Sequence, residues 1–378
     1  MRRIGPLLLL PDPNPSGWWA VCVSLLALVG ACTAAGGVFW AYGVSPLVAY
    51  RVIAEGTFLD SRALPEVVRR TIPLLLVGTG LVLAFRAQFW NIGAEGQLLS
   101  GAVAATGVAL FSPLPSGLLV PAMLAAGFVL GALWAALPAF LRLRWGAHEV
   151  LTTLLLNYVA AYGVEWLVHG PWKGPSMMGF AYTDLFPEAA WLPVLAGTRV
   201  HWPTLTLGIG FAVFGSVLLY RTVLGFEIRM QGENPEAARY AGISPAKTVL
   251  AAALLSGGAA GLAGVGEAAG IHHRLLSPGQ VSMGYGYAGI VVAWLARGNP
   301  LGAIPSALLL GVVFTSGDVM QVALRMPFRV TDVFNGLILL FLVGSTPLLQ
   351  TRIRWAPVRS KPAPAPGGEG WTPSSRPS

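Results

Sequence analysis

The chain has 378 residues, of which 55% are hydrophobic and 11% are charged, with a mean hydropathy of +0.66. Soluble domains carry roughly 25% charged residues, so the composition excludes a soluble globular protein and leaves one that lives in a bilayer. The formal charge of +8 is not a nucleic-acid signal, because Lys and Arg stand singly or in small groups between apolar runs, the pattern that fixes membrane orientation.

In chain order, residues 1–17 form a basic, proline-rich arm. Ten apolar runs follow, near 18–42, 67–85, 91–111, 118–141, 147–168, 203–220, 248–271, 283–297, 300–322 and 331–349. They are judged against the roughly 20 residues that cross ~30 Å of hydrocarbon. The expected fold is therefore an all-α polytopic membrane protein of about ten transmembrane helices, filling residues 18–350. The third and eighth runs are candidates for broken or re-entrant spans. With both termini in the cytoplasm, 15 of the 24 basic residues face inward, the sign that the positive-inside rule requires. The long connections are then an external cap at 169–202 and an internal loop at 221–247, and 351–378 reads as a disordered cytoplasmic tail. Cys22 and Cys32 share the first run, ~15 Å apart along a helix and too far to pair. Val29-Gly30-Ala31-Cys32 imitates a lipoprotein cleavage site, against which ordinary first-span residues are the plainer reading.

Several motifs fail on context. Gly284–Gly289 spells GxGxxG but opens an apolar run with no preceding strand, so a dinucleotide site is not expected. Residues Ala241–Thr248 lack both glycines of a phosphate-binding loop. His148-Glu149 has no second histidine, and His272-His273 stands alone at a span end. No cofactor or metal is expected, and no nucleophile stands beside an orienting base.

Polar residues inside apolar runs are the informative ones, since an ionisable group at mid-membrane costs roughly 2.5–3.5 kcal/mol on insertion scales. Asn91, Glu95 and Gln97 enter the third run together. Glu149, Thr153 and Asn157 are spaced by four in the fifth, a single stripe on a helix. Glu267 closes the glycine-rich seventh run. Each of these residues is a candidate for lining a solute path, and each has a plain alternative. Glu95 can cap a helix or pair with Arg86, the stripe can serve interhelical hydrogen bonding, and Gly257 and Gly261 form a close-contact pair. In the internal loop, Asn234-Pro235-Glu236-Ala237-Ala238-Arg239 followed by Gly242 has the start and stop signals of a short helix.

Asn91–Gln97, His148–Asn157, Asn234–Ile243 and Gly289–Gly302, in that order, resemble the permease subunits of bacterial ATP-binding-cassette importers for simple sugars and nucleosides, in the branch served by a basic-membrane-protein-type lipoprotein receptor. The resemblance runs from about 67 to 350 and departs at Trp294 and Ala296. It implies a non-enzymatic transport subunit of the bacterial plasma membrane that forms half of a path for a nucleoside or simple sugar. The implied partners are a second, non-identical permease, two ATPase subunits and an external receptor. Asn234, Glu236, Ala237, Ala238, Arg239 and Gly242 would lie on the helix that receives the ATPases' motion. The rival reading is a stand-alone ion-coupled secondary transporter or channel, with Glu95, Glu149 and Glu267 as proton sites.

Overall fold

The computed structural model describes residues 2–4, 7–11, 17–61, 63–177, 179–345, 348 and 351–355. Fourteen helices carry the fold among them. The first, α1 (Gly17–Ala41), meets α2 (Pro46–Ala54) at a turn that Gly43, at φ +78°, and Pro46 at the first helical position make possible. The two segments are bent by 116°. Then come α3 (Ala63–Arg86), α4 (Ala94–Phe111), α5 (Ser116–Trp145) and α6 (Glu149–His169). After a non-helical stretch, α7 (Trp202–Arg221) leads into α8 (Val223–Glu233), the six-residue α9 (Pro235–Tyr240) and α10 (Pro245–Glu267). The last four are α11 (Pro278–Ser282), α12 (Tyr285–Leu295), α13 (Ala303–Ala323) and α14 (Phe328–Gly344).

Seven of these helices are long and apolar enough to cross a membrane, or eight if the bent α1–α2 pair counts as one span. The all-α polytopic fold stands, with seven to eight candidate spans beside the about ten expected. The eighth run is the 11-residue α12, about 16 Å at 1.5 Å per residue and thus half of a bilayer core. The tenth is the 17-residue α14, one of the shorter lengths that can span. Helix α4 begins only at Ala94, because residues 87–93 fold inward first.

Helix α10 is the centre of the bundle, and every residue from Ser256 to Glu267 is buried. Its small residues set how closely its neighbours come. A Cβ on Gly261 would strike the Gly127 carbonyl of α5, and one on Gly264 would strike the Leu98 carbonyl of α4. Gly131 sits just as tightly, with Gly261 Cα 2.8 Å from where its Cβ would stand. Three helices therefore meet backbone to backbone, the close approach that small residues allow in membranes. The stretch 170–201 folds over one end of this bundle. Thr183 N donates to Leu275 O (3.1 Å), Phe186 N to His273 O (2.8 Å) and Leu192 N to Ala269 O (3.0 Å), while Trp191 stacks on His273 with centroids 4.1 Å apart.

At the chain ends, β1 (Arg2–Ile4), β2 (Leu7–Pro11) and β3 (Thr351–Trp355) pair antiparallel in that order, with Leu9 opposite Ile353. Thr351–Trp355, read from sequence as the start of the tail, is thus a strand. Residues 356–378, the rest of that tail, lie outside the described residues. Cys22 and Cys32 are free.

Candidate functional site

The inward fold of 87–93 follows from polar side chains that satisfy one another where water is absent. Asn91 Nδ2 donates to Gln97 Oε1 (2.9 Å) and to Ser256 Oγ in the middle of α10 (3.0 Å). Asn91 Oδ1 accepts from Gln97 Nε2 (2.8 Å) and from Gly93 N (3.0 Å). Helix α6 closes the other side: Thr153 Oγ1 accepts from Ile92 N (3.2 Å). Asn157 Oδ1 accepts from Gly96 N (2.9 Å), and its Nδ2 donates to Ile92 O (2.9 Å) and to the Tyr287 hydroxyl (3.3 Å). All four side chains are buried. They clamp the start of α4, whose first amides have no intrahelical partner. Glu149 is apart from them, at the end of α6, where it pairs with Arg142 (3.1 Å). Glu165, further along the stripe, pairs with His169 (3.1 Å).

Glu95 turns to a different helix. Its Oε2 accepts from Gly286 N at 2.9 Å. This amide lies in the first turn of α12, so Glu95 caps the N-terminus of the half-length helix, where the dipole favours an acidic group. The GxGxxG stretch has a packing use: a Cβ on Gly286 would meet the Glu95 backbone, and one on Gly289 would meet Val77 of α3.

A second polar cluster lies toward the end covered by 170–201. Arg69 pairs with Glu66, and its Nη1 is 3.9 Å from Glu267 Oε2. Glu267 is fully buried, and neither of its oxygens has a hydrogen-bond partner among the described residues. Arg70 pairs with Asp318 of α13, stands 3.5 Å from Glu66 and donates to the Tyr285 hydroxyl (3.1 Å). His201, the cap of α7, sits beside this cluster against Thr204 and is buried. Burial, with the Arg69 charge second, pushes it down to about 4.

Sequence comparison adds the family. A family model described as the branched-chain amino acid transport system / permease component matches residues 63–343. The chain belongs to this permease family. It is 35% identical over 373 residues to the glucose ABC transporter permease protein TsgB13 of Haloferax volcanii, covering 95% of this chain and 97% of that one. It is 30% identical over 312 residues to the nucleoside permease protein NupB of Lactococcus lactis, covering 79% and 84%. It is also 30% identical over 333 residues to the guanosine permease protein NupP of Bacillus subtilis, covering 85% and 93%. The chain is thus a multi-pass membrane permease, a transport subunit of an ABC system with ATPase and other subunits, and not an enzyme.

In this permease the remaining named residues gather at the end of the bundle opposite the 170–201 cover. Asn234 Oδ1 accepts from Glu236 N (3.1 Å) and Ala237 N (3.0 Å), which starts α9, and Gly242 at φ +80° ends it. Ala238 is buried, whereas Glu236, Ala237, Arg239 and Tyr240 are exposed. The preceding α8 is fixed to the bundle by Gln88 Nε2 donating to Gly232 O (3.0 Å) and by the Glu227–Lys247 pair (3.0 Å). Arg86 donates to Gly298 O (2.8 Å), and Trp90 packs against Trp294 with centroids 6.0 Å apart. The corner at 86–91 therefore touches α8, the end of α12 and the start of α4. Arg69, Arg70 and Asp318 were passed over in the sequence reading. Their signal was there, since each is an ionisable residue inside an apolar run.

Proposed function

We propose that the permease imports a nucleoside or simple sugar as one half of a two-permease path driven by separate ATPases. The observation that carries this reading is α9, a short helix capped at both ends by its own sequence, held out on an anchored arm with its polar face exposed. A helix so presented suits a groove on a partner, and α8, which carries it, meets the 86–91 corner through Gln88, where Arg86 in turn holds Gly298. On this reading α8 and α9 face the cytoplasm and meet the ATPase, and 170–201 faces outward to an external receptor. The distribution of basic residues supports this orientation, with both chain ends inside and lying together as β2 and β3 pair. The second permease is homologous and non-identical, as the His148–Asn157 resemblance implies.

The solute class rests on the glucose and nucleoside transport named for the relatives. Uptake of labelled adenosine and glucose by cells carrying the whole gene cluster tests it. Uptake that disappears when the ATPase genes are deleted supports the reading. Uptake that persists on a proton gradient in their absence replaces it with an ion-coupled transporter.

A further inference from the structure

Between α3, the α11–α12 junction, α13 and α14 lies a cavity of about 240 Å³, lined among others by Arg70, Phe314, Asp318, Gln321, Asp332 and Asn335. Ligand pockets for drug-sized molecules run to roughly 300–1,000 Å³, so this one suits a single ring. Its lining holds one unmet hydrogen-bonding group: Asn335 Oδ1 is a buried acceptor with no hydrogen-bond partner among the described residues. Buried polar atoms without partners are uncommon in native proteins, and each calls for an explanation such as an absent ligand.

The chemistry of the lining narrows what the ligand is. Asp332 and Asn335 Oδ1 accept hydrogen bonds, whereas the Gln321 and Asn335 amide groups and the Arg70 guanidinium donate them. Such alternation matches hydroxyl groups, each of which is both donor and acceptor. Phe314 offers an aromatic face beside them, and its ring is held by Tyr285 at 5.6 Å between centroids. An anion is disfavoured, because Asp318 and Glu66 already stand against the Arg70 charge and Asp332 adds a carboxyl group to the wall. The cavity also adjoins the one break in the α11–α12 span, since Gly279 and Met283 lie in its wall. A solute bound there touches Met283, two residues before the half-length helix whose far end meets the 86–91 corner.

We propose that this cavity is the solute site and that it reads the hydroxyls of a neutral furanose or pyranose ring, through Asp332, Asn335 and Gln321, with the ring's carbon face against Phe314. This rests on the import reading above and deepens it: the common feature of nucleosides and simple sugars is the hydroxylated ring. A phosphorylated sugar is excluded.

The test uses the complete transporter with its receptor in proteoliposomes. Uptake is measured for adenosine, glucose, their counterparts 2′,3′-dideoxyadenosine and 2-deoxyglucose, and adenosine monophosphate. Receptor affinity for each solute is measured separately and each is supplied at receptor saturation. The wild type is expected to carry a hydroxylated solute at least tenfold faster than its deoxygenated counterpart and to leave the monophosphate outside. Asn335→Leu and Gln321→Leu are expected to slow the hydroxylated solute about tenfold, to leave the deoxygenated one within twofold, and so to erase the discrimination. In a background with Cys22 and Cys32 replaced by Ser, Gln321→Cys should react with a small thiol reagent and be protected by the transported solute. Equal slowing of both solutes, an unchanged ratio in both variants, or labelling that solute does not slow overturns the site while leaving the import reading intact. A wild-type complex that carries neither adenosine nor glucose overturns the import reading and the site together.

Discussion

Glu95 and Gly286 are 191 residues apart in sequence and joined by a 2.9 Å hydrogen bond from the Gly286 amide to Glu95 Oε2. This bond supplies a cap to a helix that begins inside the bundle, where water cannot do so. Losing a capping side chain costs about 0.5–2 kcal/mol, and Ala at 95 leaves the buried Gly286 amide unpaired. Glu95→Ala is expected to lower the melting temperature of the purified complex and to abolish uptake. Glu95→Gln keeps the shape and a carbonyl that can accept from Gly286 N but loses the charge at the helix N-terminus, so it should fall between the wild type and Glu95→Ala. Melting unchanged in Glu95→Ala would show that α12 holds its position without the cap.

The Arg70 cluster gives a second expectation. Removing one member of a buried ion pair costs about 3–5 kcal/mol, because the partner is left charged and unpaired, and less here, where the Asp318 side chain is 36% exposed. Arg70→Ala removes at once the partner of Asp318 and the donor to Tyr285. It should destabilise the complex far more than Asp318→Asn, after which Arg70 keeps Tyr285 and the nearby Glu66. Thermal unfolding of the two variants in the same detergent decides the order.

Gly242→Pro and Glu236→Lys address coupling. Gly242 holds φ +80°, which proline cannot adopt, and Glu236 lies on the exposed turn of α9. Both variants should assemble, bind solute and yet separate ATP hydrolysis from uptake. Normal uptake by normally assembled variants would remove α9 from the coupling path.

The covered end should respond to acid. His201 is lowered to about 4 by burial from an unfolded value of about 6.5, so the unfolded chain binds more protons between these values. Its contribution is complete above about pH 6.5 and is lost as pH falls toward 4, amounting to about 3 kcal/mol at one pKa unit per ~1.4 kcal/mol. His201→Gln should flatten this part of the melting-temperature profile against pH. A profile identical to wild type would place the acid sensitivity elsewhere.

How far the sequence carried the reader depended on the distance over which each residue finds its partner. The caps of α9 are local: Asn234 bonds two and three residues ahead, so the helix could be read from letters alone. The third and eighth runs read as candidates for breaks, the eighth being the shortest of the ten. The stripe reads equally as a solute path or as interhelical bonding; Thr153 and Asn157 bond backbone atoms of 92–96 and the Tyr287 hydroxyl, and a spacing of four says nothing about which surface it meets. The count of candidate spans is seven to eight beside about ten apolar runs, since α12 is apolar but half-length. Arg69 and Arg70 carry a signal as ionisable residues in an apolar run, but beyond the nearby Glu66 their partners Glu267, Tyr285 and Asp318 come from segments about 200 residues or more away and could not be read.

The seam in which Gly127, Gly131, Gly257, Gly261 and Gly264 bring α4, α5 and α10 into backbone contact bears on how such a protein accumulates change. A side chain in a core can be exchanged for another of similar volume, but a backbone hydrogen at a contact has no smaller replacement. Drift at these positions therefore has nowhere to go, because even one methyl group at Gly261 meets a carbonyl. Innovation in what is carried must come from other walls, such as those of α13 and α14, where partly exposed side chains such as Gln321 and Asn335 leave room to vary. The tightest part of the molecule is also the part that frees the rest to specialise.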